Sequence, residues 1–435
     1  MRIPINILLA TCYLLFTTYG FAQVNSDSLI LVYTNKMQKY LDKENKASEV
    51  LSFTKDGIEV YAPATDTFQR KYEFKISWKD ITFFKNILSA YSYLRIKQML
   101  FDSMAVAEVN VPGIIKRDLS KPLLHYSIAL DPGHIGGDIE TARMEKKWVE
   151  MKANPAKGIK EPIQLIEGDL TFVTAKILKK KLESKGAKVM LTRNELGISA
   201  FGITYKKWKD SLFLRSVDSA YARKDVSFEE KNFLLTKAND TEIFRRFFLQ
   251  EEIYERARKI NEFNPTLTLI IHYNVDETNQ NWNKPTKKDF NMAFVGGSFG
   301  ADELVQPEAR IDFLRLLLTE DIEKSIDFSK YIVEGLVQKT GIPSATDSCA
   351  IYLRDNCMTT GVNGVFCRNL ALTRMVKGAL CYGESLYQDN INECKALSKN
   401  EITVDEMKSS KRVEEVAEGY FQGIINYMKS KNAEW

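Results

Sequence analysis

Two of the chain's three histidines stand in short segments of matching design, Leu130-Asp131-Pro132-Gly133-His134-Ile135-Gly136-Gly137-Asp138 and Leu269-Ile270-Ile271-His272-Tyr273-Asn274. Each follows an apolar run with the character of a buried strand, so each belongs where a strand stops and a cleft opens. Glu167 opens an amphipathic stretch, and Glu384 follows the apolar run 379–382. A carboxylate is electrostatically at ease at a helix N-terminus, which puts Glu167 on the same edge as the strand ends. Two imidazoles and one carboxylate leave a fourth zinc position open to water, the arrangement of a catalytic site rather than a structural one. Glu384 is a fourth candidate group at the same edge. Glu140, Glu145, Glu150 and Glu161 compete with Glu167 for the ligand role, but only Glu167 begins the right helix. His125 has no motif around it and reads as structural.

Positioning these groups asks for an α/β fold, a mostly parallel sheet with helices on both faces. Strands are expected at 126–130, 188–191, 267–271, 292–295, 351–353 and 379–382. Helices are expected at 167–185, 244–263, 325–339 and 411–429. The first of these carries Leu170, Val173, Ile177, Leu178 and Leu182 on one face and Gly186 as its stop. Two long stretches, 194–243 and 275–324, interrupt the pattern, the second with a helix around 309–322. Insertions of that length are lids, binding elements or solvated excursions. Residues 23–120 have a different character, with a helix over 28–43 and strand-like alternation at 57–61 and 71–76. They read as a small α+β domain or as an elaboration packed on the main one.

The 435 residues exceed what one simple core fills, while 44% hydrophobic and 27% charged residues describe an ordinary globular chain. Arg2, the apolar stretch from Ile5 to Phe16 and Gly20-Phe21-Ala22 read as a signal peptide over 1–22, with cleavage expected after Ala22. Its core of about a dozen residues is short of the roughly twenty a spanning helix needs. The protein is therefore expected to be exported, to a periplasm or the extracellular space. Loss of Arg2 takes the formal charge from +4 to +3, too little to argue for nucleic acid. Cys349, Cys357, Cys367, Cys381 and Cys394 remain, at spacings that match no zinc motif. An oxidising compartment would allow one or two bridges among them.

The motifs taken in order resemble those of zinc-dependent N-acetylmuramoyl-L-alanine amidases of the secreted cell-wall hydrolase type. The likeness runs through Leu130 to Asp138, Glu167-Gly168-Asp169-Leu170, Val189 to Arg193, Arg256 with Asn261, and Ile271-His272-Tyr273-Asn274. It continues in Leu370 to Arg374, Ala379 to Asn390 and Val416 to Tyr420, so it covers roughly residues 123–430. The resemblance implies that 121–435 is a catalytic domain, with His134, Glu167 and His272 as zinc ligands and Glu384 as the catalytic carboxylate. Asp131 and Asn274 would orient the histidines. The implied substrate is peptidoglycan, cut at the amide between N-acetylmuramic acid and L-alanine. An activator protein is one implied form of control; a self-regulatory segment, 301–325, lying over the zinc is another, with an ordinary amphipathic helix as its plainer reading. The chain departs from the family in the long interval between His134 and Glu167, in the stretch from Arg193 to Arg256 and in Gly383 before Glu384. Two rivals stand beside this reading: a zinc hydrolase of the same fold acting on another amide or peptide, and a wall-binding protein without catalysis.

Overall fold

A computed structural model describes residues 26–62, 71–90, 121–279 and 283–431. The expected signal peptide lies outside the described residues. Among those described, no helix is long and apolar enough to cross a membrane.

The N-terminal residues form an antiparallel sheet of β1 (Leu51–Thr54), β2 (Gly57–Ala62) and β3 (Lys71–Ser77), flanked by the helices Ser26–Lys36 and Ile81–Ala90. This unit is stitched to the rest of the chain. Ser298 and Phe299 donate backbone hydrogen bonds to Tyr40 and Leu41 at 2.8 and 2.7 Å. Arg310 pairs with Glu73 at 2.8 Å, and Lys36 with Glu323 at 2.8 Å. Its apolar side chains join the same core as the main sheet, so it packs as an elaboration on that sheet.

The main sheet follows from apolar runs too short for helices. Its strands are β4 (Ser127–Pro132), β7 (Lys188–Leu191), β8 (Leu267–Asn274), β9 (Met292–Val295), β10 (Cys357–Thr359), β11 (Val365–Arg368) and β12 (Ala379–Tyr387), in spatial order β10-β11-β9-β12-β8-β4-β7. A hairpin of β5 (Trp148–Met151) and β6 (Ile163–Ile166) stands apart, as does a second of β13 (Ile402–Val404) and β14 (Met407–Ser409). Pairs β7-β4, β4-β8, β8-β12 and β9-β11 are parallel; β9-β12 and β10-β11 are antiparallel. All eight residues of the inner strand β8 are buried, as expected for a strand covered on both faces. Helices Glu167–Ser184, Asp321–Thr340 and Lys411–Lys431 pack on one face through Tyr273 and its neighbours. Helix Leu249–Phe263 packs on the other through Ala257 and Ile260 against Ala129 and Ile270.

Four sequence expectations are corrected. Residues 351–353 lie in a helix, Ile351–Asn356, because the buried positions Ala350, Leu353 and Cys357 fall three and four residues apart. The helix expected over 309–322 ends at Leu318; Thr319 is extended, and a new helix starts at Asp321. The five cysteines are free thiols, four of them buried. Burial pushes Cys357 up to about 11 and Cys381 and Cys394 up to about 12, which makes them unreactive.

The fourth concerns segment 301–325. Because β9 runs antiparallel to β12, the chain leaving Val295 arrives at the edge where β12 begins, opposite the strand ends that carry the histidines. There Arg315 donates to the carbonyl of Arg374, and Glu323 pairs with Lys36. Helix Pro307–Leu318 packs on the N-terminal unit, so it is an ordinary buried helix and not a cover for the metal site.

The stretch 194–243, read from the sequence as a lid, a binding element or a solvated excursion, is helical and continuous with the expected helix from Phe244. Residues 199–248 form the helices Tyr205–Ser211, Phe213–Arg223, Phe228–Thr236 and Asp240–Ile243, the last running on through residues 244–248 into Leu249–Phe263. Thr204, Ser227 and Asn239 cap three of them by accepting backbone N–H groups. Their aromatic faces close on one another around Trp208, Phe244, Phe247 and Phe248, a core separate from that of the sheet, and Ile135 inserts into it.

Candidate metal centre

His134, Glu167, His272 and Glu384 all lie at one edge of the sheet, and each is brought there by a different local device. β4 stops at Pro132, and Gly133 still donates to the carbonyl of Ile271 at 2.8 Å. A Cβ on Gly133 would lie 2.1 Å from His272 Cε1 and Nε2, so only glycine lets the second histidine come this close. His134 itself has φ 59, a left-handed conformation costly for a residue with a side chain. The loop is held from beneath by Arg193, buried, whose guanidinium donates to the carbonyls of Pro132 at 3.0 Å and Ile135 at 2.8 Å. Burial, and the nearby charge of Arg256, lower this guanidinium to about 10, still protonated at neutral pH. Arg256 pairs with Glu252 at 2.7 Å and lies 3.6 Å from Asp131.

Glu167 is the first residue of its helix, and its carboxylate is buried. Oε1 lies 2.9 Å from His272 Nδ1 and 3.5 Å from His134 Nε2, and accepts the Tyr273 N–H at 3.4 Å. Oε2 accepts from Gln388 Nε2 at 3.2 Å and lies 3.6 Å from Lys147 Nζ. Burial opposes ionisation, but Lys147 and the two histidines outweigh it and hold the carboxyl well below the ordinary range. Burial also lowers His134 to about 4, so its imidazole is neutral at physiological pH, as metal ligation requires. The two imidazoles meet edge to face with centroids 4.8 Å apart, and His272 stacks on Tyr382 at 4.6 Å.

Glu384 is in register with His272 on the neighbouring parallel strand. It is half-buried, and burial raises its carboxyl, with the charge on Glu167 adding to the effect and His272 opposing it. Among the described residues it accepts no hydrogen bond. It lines a cleft of about 150 Å³ together with Lys147, Asn274, Asp276 and Glu277.

The three ligand candidates fit a metal ion. One donor atom from each lies within 4.8 Å of the others. A tetrahedral ion with N and O ligands at about 2.1 Å needs donors roughly 3.4 Å apart, and the 2.9 and 3.5 Å separations bracket that. His134 Nε2 is buried with no hydrogen-bond partner, a cost that a ligated ion would remove.

The orienting roles expected of Asp131 and Asn274 are not what the structure holds. Asp131 accepts from Thr192 and faces Arg256; Asn274 donates to Tyr352 at 3.1 Å. Both stabilise the loops that follow the histidine strands, and neither is hydrogen-bonded to a histidine. The groups that do meet the ligands are Glu145, Gln388 and Lys147. Glu145 was visible in the sequence only as a rival ligand; Gln388 lies within the segment 379–390 without a signal of its own. His125 is exposed and precedes the start of β4, at the other edge of the sheet.

No family model matches the chain, and no curated protein matches it. Among solved structures, the chain is similar to the CwlD amidase from Clostridioides difficile in complex with the GerS lipoprotein, at 18% identity, over 70% of this chain and 100% of that one, with a TM-score of 0.35. It is similar to the apo N-acetylmuramyl-L-alanine amidase Ami1 from Mycobacterium abscessus at 16% identity, over 70% and 99% of the two chains, with a TM-score of 0.35. An N-acetylmuramoyl-L-alanine amidase from Clostridium difficile 630 matches at 16% identity over 71% and 100%, with a TM-score of 0.38.

Proposed function

We propose that residues 121–435 form a zinc-dependent N-acetylmuramoyl-L-alanine amidase that hydrolyses the amide between N-acetylmuramic acid and L-alanine in peptidoglycan. The observation that carries the reading is the meeting of His134, Glu167 and His272 at one sheet edge with Glu384 in register beside His272. The substrate class is what the resemblance of the ordered motifs to that amidase family implies. The same reading makes the protein an exported one, acting in the periplasm or outside the cell.

His134, Glu167 and His272 would hold the zinc, which when bound supplies a Lewis acid and a water acidified toward neutrality. Glu384 stands free of hydrogen bonds within the described structure, so its carboxylate is available to take the proton of the attacking water. As the C–N bond breaks, the same carboxyl returns that proton to the departing amine of L-alanine. Burial helps here, because a carboxyl with a raised affinity for its proton is a better base and then a usable acid. Gln388 and Lys147 hold Glu167 by Oε2, which leaves Oε1 turned toward the histidines.

The test is to incubate the purified protein with zinc and muropeptides and analyse the products by mass spectrometry. Free stem peptides beginning with L-alanine are expected. Glu384→Ala should lower their formation by about 10²–10⁴-fold, while His125→Ala, altered at the far edge of the sheet, should leave it unchanged. Cleavage at another bond supports the rival hydrolase, and wall binding without cleavage supports the binding protein; either result refutes the proposal.

A further inference from the structure

We infer that Glu145, carried on the segment inserted between His134 and Glu167, is the positioning residue that fixes His134 for metal binding; the inference rests on the metal-site reading above. The insertion starts with Asp138, whose side chain caps the helix Ile139–Glu145 by accepting the Thr141 N–H at 2.8 Å. The helix stops at Glu145, and Lys146, left-handed at φ 58, turns the chain toward β5. This short helix brings the Glu145 carboxylate, with its side chain 2% exposed, against the back of the His134 loop.

Two sets of contacts meet there. The carboxylate accepts the Ile135 N–H, at 3.2 Å on Oε1 and 3.0 Å on Oε2. Oε1 lies 3.6 Å from His134 Nδ1. The other ring nitrogen, Nε2, has no hydrogen-bond partner and points at Glu167 Oε1, 3.5 Å away. A carboxylate facing Nδ1 favours the tautomer with its proton there, and leaves the Nε2 lone pair for a metal. Glu145 is not itself a ligand, because its oxygens lie on the Nδ1 side and are engaged by Ile135. The backbone bonds serve the same end, since they hold the residue that follows the left-handed His134. The segment between His134 and Glu167 thus has a use: it delivers a buried anion to the Nδ1 side of the His134 ring.

The experiment uses the full chain stripped of metal, as wild type, Glu145→Gln and Glu145→Ala. Zinc affinity is measured by competition with a chromophoric chelator, the Co²⁺ form by its visible spectrum, and the fold by thermal unfolding of the apo protein. Gln keeps the volume and an acceptor for the Ile135 N–H, so it should preserve the apo unfolding midpoint even if Ala does not. Both substitutions should weaken zinc binding by about 10–100-fold, and the Co²⁺ bands should shift. Wild-type zinc affinity and an unchanged Co²⁺ spectrum in Glu145→Gln would overturn the assignment, and a lowered midpoint with unchanged affinity would reduce Glu145 to a structural residue. A wild type that takes up no zinc would overturn the metal reading along with it, a result distinct from loss of the Glu145 assignment alone.

Discussion

Gly133→Ala is the sharpest probe of the site, because one added carbon collides with a ligand and disturbs little else. The new Cβ would lie 2.1 Å from two atoms of the His272 ring, against 3.4 Å for the shortest ordinary contact, so something must move by about 1.3 Å. The ring has little room to yield. It stacks on Tyr382 at 4.6 Å with planes 6° apart, and its strand is buried along its whole length. The loop is no freer, since Gly133 is bonded to Ile271 and the next residues are gripped by Arg193. Gly133 has no left-handed backbone, so alanine is penalised by the collision alone. Overpacking of this kind costs about 1–3 kcal/mol. At about 2.1 cal/mol/K per residue, that lowers the unfolding midpoint of a chain this size by roughly 1–4 °C. A displacement of more than 1 Å also spoils the ligand geometry, with a loss on the order of 10²-fold in hydrolysis and a clear fall in zinc affinity. Chelator competition and thermal unfolding of the apo protein read the two effects separately. Zinc affinity equal to wild type would refute the close approach of the β4 loop to His272, and with it the geometry assigned to the site.

Three further outcomes follow from the surroundings. Gln388→Leu removes the donor to Glu167 Oε2 and should cost about 1–3 kcal/mol, with weaker zinc binding; affinity unchanged in chelator competition would argue that Lys147 suffices to hold that oxygen. Arg256→Met leaves Glu252 buried without its cation and should cost about 3–5 kcal/mol in urea unfolding, so a cost below about 1 kcal/mol would argue against a buried pair there. Asp312 is raised by burial to about 6 from 3.8, so the folded protein binds this proton more tightly than the unfolded chain. Its contribution is complete below pH 3.8 and is lost as pH rises through about 6, a swing of about 3 kcal/mol. Asp312→Asn should flatten the fall in stability across that window, and an unaltered pH profile in chemical unfolding would count against it.

The sheet was legible because its strands are short apolar runs separated by helical periodicity: 188–191 and 292–295 fall where the sequence put them. That His134, Glu167, His272 and Glu384 share one side of the sheet was legible because two flank element ends and two lie in the later part of parallel strands. What supports them was not. Gln388 meets Glu167 across 221 residues of sequence, and Lys147 reaches the same carboxylate from just before the β5–β6 hairpin, which the sequence reading did not pick out. Such contacts depend on how separate elements face one another, which no local pattern encodes. Strand direction was hidden for a similar reason. The run Met292–Val295 reads alike in either sense, yet its antiparallel pairing with β12 sends segment 301–325 to the opposite edge and removes it from the site.

The helical unit 199–248 behaves differently from a lid. A lid contributes residues to the cleft it closes, and among the described residues none of the cleft lining comes from 199–248. That helical unit instead takes Ile135 into its aromatic core, and its neighbour Arg256 donates to the Pro132 carbonyl at 3.3 Å. The segment between His134 and Glu167 presses Glu145 on the same loop from another side, while its Lys147, just before β5, lines the cleft and reaches Glu167. Both therefore converge on residues 132–135, which hold His134 in its left-handed conformation. A strained ligand persists only where its surroundings leave it no alternative. The helical unit and the helix that carries Glu145 thus act behind the metal site, on holding His134.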